Sequence, residues 1–144
     1  MVIILKKFIC IFISVLLCFS LSVSSYEEVD VYVNSRKIIS ETPPLKVNAR
    51  VLLPLRDLLK NINIPDNSLT WYENSDSIRI KYDDNFIFMS VGVNEMIIND
   101  RLVFSDCPPL IIGNKTYIPV RIVCEAFNAY VTWDDLTKSV HISI

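Results

Sequence analysis

The hydrophobic positions along this chain switch between two periods, and they do so in the same order twice. Val29, Val31 and Val33 alternate with polar neighbours, the period of a half-buried strand. Leu55, Leu58, Leu59 and Ile62 then fall at i, i+3, i+4 and i+7, which places one apolar stripe on a two-turn helix. Alternation returns at Leu69 and Trp71 and again at Ile78, Ile80 and Tyr82, with Arg79 and Lys81 between them. The second helical stripe is Val120, Val123, Cys124 and Phe127, followed by Val140, Ile142 and Ile144 alternating with His141 and Ser143. Between the two series, residues 86–91 are apolar on both faces through Phe86, Ile87, Phe88 and Met89. That segment is expected mid-sheet or at the seam between two halves.

The punctuation repeats with the pattern. Val33-Asn34-Ser35-Arg36 returns as Ile98-Asn99-Asp100-Arg101, Pro43-Pro44-Leu45 as Pro108-Pro109-Leu110, and Pro54-Leu55-Arg56 as Pro119-Val120-Arg121, all at one constant offset. Leu69-Thr70-Trp71 returns as Val131-Thr132-Trp133 at a slightly smaller offset, because Pro65-Asp66-Asn67-Ser68 lengthens the first copy. Self-similarity of this length sets the architecture. The Asn-led pairs read as hairpin turns, since Asn and Asp tolerate positive φ. Further turns are expected at residues 48–50 and 113–115, followed by short strands at 51–53 and 116–118. The Pro-Pro pairs rule out helix and ladder pairing and predict an extended crossing. Pro54 and Pro119 are expected at the first helical position, where a missing N–H costs nothing. Asn63 and Asn128 are expected as left-handed C-caps. The expected fold is α+β: mostly antiparallel β-sheet with two short α-helices, built from two pseudo-symmetric repeats at about 29–82 and 96–144.

The segment 1–25 changes how the composition is read. Lys6 and Lys7 precede an apolar run over 8–21, and small polar residues lead to Tyr26. This is the form of a secretory signal peptide, and the run is short of the roughly 20 apolar residues of a spanning helix. An uncleaved leader would be the only membrane attachment expected. Cleavage leaves a single domain at 26–144, large enough for one core. The leader holds two of the 14 Lys and Arg and none of the 16 acids, so the remainder carries 12 against 16, a net −4. With no basic run, there is no electrostatic case for nucleic acid. Of four cysteines, Cys10 and Cys18 lie in the leader. Cys107 and Cys124 occupy the places of Thr42 and Leu59, so the first copy manages without them. Free buried thiols are expected over a bridge, although export would permit one.

The order Asn-x-Arg, Pro-Pro, Pro-x-Arg opening a helix, then Trp-Asp before a β-run, resembles the bacterial copper amine oxidase N-terminal-like domain, also called the stalk domain. The resemblance covers roughly residues 29–144 and is sharpest at Tyr117-Ile118-Pro119-Val120-Arg121, Glu125-Ala126-Phe127-Asn128-Ala129 and Val131-Thr132-Trp133-Asp134. Asn128, Ser35 and Asp100 stand where such domains carry Gly. The resemblance implies the stalk that precedes the catalytic part of some oxidases, a small sheet against a helix, and not the catalytic part. Oxidase copper is held by histidines beside a modified tyrosine. This chain has one histidine, read as an exposed strand residue, so no cofactor is expected.

Pro54, Arg56, Trp71, Pro119, Arg121, Trp133 and Asp134 are read as structural motif residues. Arg56 and Arg121 could bind an anion, but an arginine fork tying the helix start to a carbonyl or acid is favoured, with Asp134 the expected partner of Arg121. Trp71 and Trp133 could stack on sugars, but core burial is favoured. Tyr72, Tyr117 and Tyr130 are the candidates for surface contact. The paired acids Asp83-Asp84 and Asp134-Asp135 read as turn chemistry. No catalytic or metal-binding set is seen. The expectation is a non-catalytic, exported cell-envelope binding or scaffold domain whose partner is an envelope protein or wall glycan. Homodimerisation through a sheet edge is also expected. The alternatives are a carbohydrate-binding module for peptidoglycan or other wall glycan, which an exposed tyrosine row would favour, and a secreted protease or hydrolase inhibitor.

Overall fold

The computed structural model describes residues 27–144, and the expected leader, residues 1–25, lies outside them. The first half contains β1 (Glu27–Glu28), β2 (Asp30–Val33), β3 (Arg36–Lys37), β4 (Leu45–Val47), β5 (Arg50–Pro54), α1 (Leu55–Asn61), β6 (Leu69–Tyr72) and β7 (Ser77–Tyr82). After β8 (Asn85–Ser90) come β9 (Glu95–Ile98), β10 (Arg101–Phe104), β11 (Leu110–Ile112), β12 (Lys115–Pro119), α2 (Val120–Ala126), β13 (Tyr130–Asp134) and β14 (Ser139–Ser143). The class is the expected one, mostly antiparallel sheet with two short helices.

The turns form where side chains tolerate positive φ. Asn34-Ser35, Asn48-Ala49 and Asn99-Asp100 each hold two successive left-handed residues, the two-residue hairpin geometry that matches strand twist. At the fourth such turn Gly113 alone takes the left-handed φ of 62°. The helices end as their sequence predicts. Asn63 and Asn128 sit at φ 61° and 62°. The N–H groups of Ile64 and Ala129 reach back to the carbonyls of Leu59 and Cys124, at 2.9 and 3.0 Å. Those are six-to-one bonds that satisfy otherwise orphaned helix carbonyls. The helix starts differ from expectation by one position. Pro54 and Pro119 are extended N-caps at the ends of β5 and β12, because each strand runs straight into its helix. Three strands went unforeseen: β1, which pairs with β4, and β4 and β11, which begin directly after the Pro-Pro pairs, because those block pairing only at the prolines themselves.

Three sheets result. The central one has the order β1-β4-β5-β12-β11, the second β10-β9-β8-β7-β6, and the third β13-β14-β2-β3. In the central sheet the two halves meet at the antiparallel pair β5–β12, where Leu53 faces Ile118, Leu52 faces Pro119 and Pro54 faces Tyr117. Leu53 and Ile118 occupy matching places in the two sequence copies, each directly before the motif Pro-x-Arg. Both point into the main core with the helix faces Leu58, Leu59, Val123 and Cys124, and with Ile78, Ile80, Ile87 and Met89 of the second sheet. Leu52 and Tyr117 point the other way, into a small cluster with Leu45 and Cys107. The halves also differ in how their strands pair. β14 pairs with β2 in parallel, whereas β8 stands between β7 and β9 and makes antiparallel pairs with both. This is the mid-sheet position expected of a strand apolar on both faces.

Candidate functional site

Two grooves open on the surface, one at the start of each helix. The first, about 410 Å³, takes Pro54, Leu55 and Arg56 from the start of α1, Leu69 and Trp71 from β6, and Asn114, Lys115 and Thr116 from the turn into β12. The second, about 470 Å³, takes Pro119, Val120 and Arg121 from the start of α2, Val131 and Trp133 from β13, and Ala49, Arg50 and Val51 from the turn into β5. Each groove thus draws its helix and tryptophan from one half and its opposing turn from the other. The cause is the β5–β12 pairing, which lays each half's turn beside the other half's helix.

Ion pairs brace both junctions. Arg50 makes a two-point contact with Asp106, with its Nε donating to Oδ1 at 2.7 Å. Lys115 reaches Glu41 at 3.4 Å. Arg50 and Lys115 hold matching places in the two copies, and so do Glu41 and Asp106. That matched charge is the signal in the sequence that could have identified these residues. The Arg50 hydrogen bonds hold the Asp106 carboxyl below its ordinary value and raise the guanidinium in return. Both pairs are solvent exposed and contribute little to stability.

The grooves part company in their side chains. At the first, Ser40 donates a hydrogen bond to the carboxylate of Asp57, and Arg56 pairs with Asp66 at 3.4 Å. Ile122 replaces Asp57 at the second groove, and the Ser105 hydroxyl turns instead to the Cys107 carbonyl at 2.6 Å. Asp66 belongs to the stretch that lengthens the first copy and has no counterpart in the second. Arg121 is therefore exposed without an ion pair among the described residues. The expected tie from Arg121 to Asp134 is not made. Asp134 caps its own turn, accepting from the N–H of Leu136 at 2.8 Å and of Thr137 at 3.3 Å. Those bonds, with the Thr137 side chain foremost, hold its carboxyl below the usual range.

The aromatic expectations need correction. Trp71 and Trp133 pack against the core but remain half-buried, because each lies on a sheet-edge strand that leaves one face to a groove. The Trp133 indole N–H donates to Asp135 at 2.9 Å, which depresses that carboxyl, and Lys46 sits 5.2 Å above the ring, a cation–π contact. Tyr117 is no surface residue: it is buried on β12, and its hydroxyl donates to the Pro43 carbonyl at 3.2 Å. Tyr72 and Tyr130 are exposed but lie in different sheets, so the three make no row. Phe104, which sequence periodicity left unremarked, is exposed on the wall of the second groove.

Copper does not fit these residues. His141 is half-buried rather than exposed. Its ring stacks on Tyr32 at 5.0 Å and 7°, and Nε2 bonds the buried Ser139 hydroxyl at 2.9 Å. Among the described residues no three His, Cys, Asp or Glu side chains cluster as a metal site. Cys107 and Cys124 are free and buried, and burial pushes the Cys124 thiol up to about 12. Neither is a nucleophile.

Against known proteins, the sequence model described as the copper amine oxidase N-terminal domain matches residues 32–142. No curated protein matches the chain.

Proposed function

The chain belongs to the copper amine oxidase N-terminal domain family, and from that premise we propose that it works without catalysis, as an exported binding or scaffold domain of the cell envelope. In the oxidases this domain is an accessory stalk rather than the catalytic part. The working surface in this reading is the groove at the start of α2. The observation that carries it is the contrast between the two grooves. Arg56 has an acid to pair with and Asp57 is held by Ser40. Arg121 makes no ion pair among the described residues and lines the same groove as the half-buried Trp133. A guanidinium without an ion pair and a half-buried indole in one groove wall are a ready contact for a carboxylate-bearing partner with an apolar portion.

The test is retention of the purified protein on native cell-wall sacculi and on immobilised envelope proteins, with Arg121→Glu alongside. Retention by envelope protein that Arg121→Glu lowers at least about tenfold supports the reading. That loss corresponds to about 1.4 kcal/mol. Retention on sacculi, competed by soluble glycan fragments, replaces it with wall-glycan binding. Retention that Arg121→Glu leaves unchanged removes the groove from the function.

A further inference from the structure

We propose that β10 is a self-docking edge, through which two copies of this chain pair antiparallel about a two-fold axis at Val103. β10 is the outer strand of its sheet. Its hairpin register with β9 pairs Arg101 with Ile98 and Val103 with Met96, and the Ser105 N–H continues the ladder to the Asn94 carbonyl at 2.8 Å. In an antiparallel ladder the bonded residues alternate. Arg101, Val103 and Ser105 therefore spend their backbone groups on β9, and Leu102 and Phe104 turn theirs outward.

The same two residues expose their side chains, Leu102 at 62% and Phe104 at 69%, with Ile97 at 40% next to Leu102 across the hairpin. Edges are normally blunted by shortness, charge, proline or cover. The counterpart strand β3 is only two residues long and consists of Arg36 and Lys37, both exposed. Edge β1 is likewise two residues, both glutamates, and β11 follows Pro108-Pro109. β10 has four residues, no proline, and a single charge at its turn end; edges β6 and β13 are at least as long, but each exposes a threonine beside one tyrosine where β10 exposes two large apolar side chains.

The strand is its own complement. With the axis at Val103, Leu102 of one copy lies opposite Phe104 of the other, twice. The outward N–H and C=O groups of both residues then close in pairs, and each exposed apolar side chain gains an apolar neighbour. Within residues 101–105 no two charges face each other; just beyond, Asp100 of one copy comes opposite Asp106 of the other, whose charge Arg50 of its own copy offsets. A foreign extended peptide could satisfy the backbone alone, whereas a second copy also covers both apolar side chains symmetrically. The seam is small. Each phenylalanine contributes on the order of 150–250 Å² at most, which keeps the total below the about 1,200 Å² where standard interfaces begin. Association is therefore expected to be weak.

Sedimentation velocity of the purified protein from micromolar to about 1 mM tests this. A concentration-dependent monomer–dimer equilibrium is expected, weakened at least about tenfold by Phe104→Lys. Leu102→Pro should abolish it, because the lost N–H faces the free edge and the β9 ladder is spared. Leu136→Lys, at a residue 95% exposed elsewhere, should leave it unchanged. Val103→Cys should form a disulfide-linked dimer under mild oxidation where the parent protein does not. A monomer throughout the range, or a dimer indifferent to Phe104→Lys, overturns the proposal. A monomer in which Leu102→Pro instead abolishes capture of an envelope protein that Arg121→Glu leaves intact overturns it in favour of strand addition by a foreign peptide.

Discussion

The groove at α1 and the groove at α2 are made of the same parts, and one is tied down where the other is open. Both have a proline N-cap, an arginine in the first helical turn, a half-buried tryptophan and a turn supplied by the opposite half. In the first, Asp57 takes a hydrogen bond from Ser40 and Asp66 pairs with Arg56. In the second, Ile122 stands where Asp57 would be and the connection after the helix is shorter, and Arg121 makes no ion pair among the described residues, Glu125 one turn on included. The likeness of the two grooves rests on turn and core residues that recur in the sequence. The openness rests on one substitution and one short insertion at positions the core does not constrain. Structural residues can repeat while the surface between them diverges.

The comparison is tested most severely at the seam. Leu53→Ala and Ile118→Ala each empty a fully buried site on the β5–β12 pair. Each should cost about 2–5 kcal/mol in urea unfolding. If one costs less than half the other, the two halves do not share the core evenly, and the likeness of the grooves stops at their backbone. Next come Trp71→Ala and Trp133→Ala. Both rings are half-buried, so each should lose about 2 kcal/mol, short of the full burial value. A loss under about 1 kcal/mol at Trp133 would mean that the ring serves the groove and not the core.

The smallest effect concerns acid. Arg50 depresses the Asp106 carboxyl below its ordinary 3.8, so the pair's contribution to stability is complete above that pH. It is lost as pH falls through the lower folded-state value. Denaturation midpoints followed below pH 4 should fall more steeply in the parent protein than in Arg50→Ala. Parallel curves would show that the cross-half pair contributes nothing.

Much of the fold was legible in residue spacing. Asn63 and Asn128 as left-handed caps, the Asn-led hairpins and the two apolar helix stripes are all local matters of φ preference and period, set by close neighbours in the chain. The strands after the Pro-Pro pairs were not legible, because their pairing partners lie in other segments. The site was less legible than the fold. Tyr117 looked like a surface residue because nothing near it in sequence reveals that Pro43 receives its hydroxyl. His141 looked exposed because Tyr32, its stacking partner, lies near the opposite end of the fold's sequence.

The sequence alone determined the doubled pattern, the turn positions, the helix faces and the family resemblance, since each depends on residue type and spacing along one segment. Only the tertiary structure decided that Arg50 meets Asp106, that Arg121 makes no ion pair among the described residues, that the tryptophans stay half-buried, and that β10 lies at a sheet edge. Those outcomes depend on which distant segments become neighbours, and the β5–β12 pairing fixes that by laying each half's turn against the other half's helix.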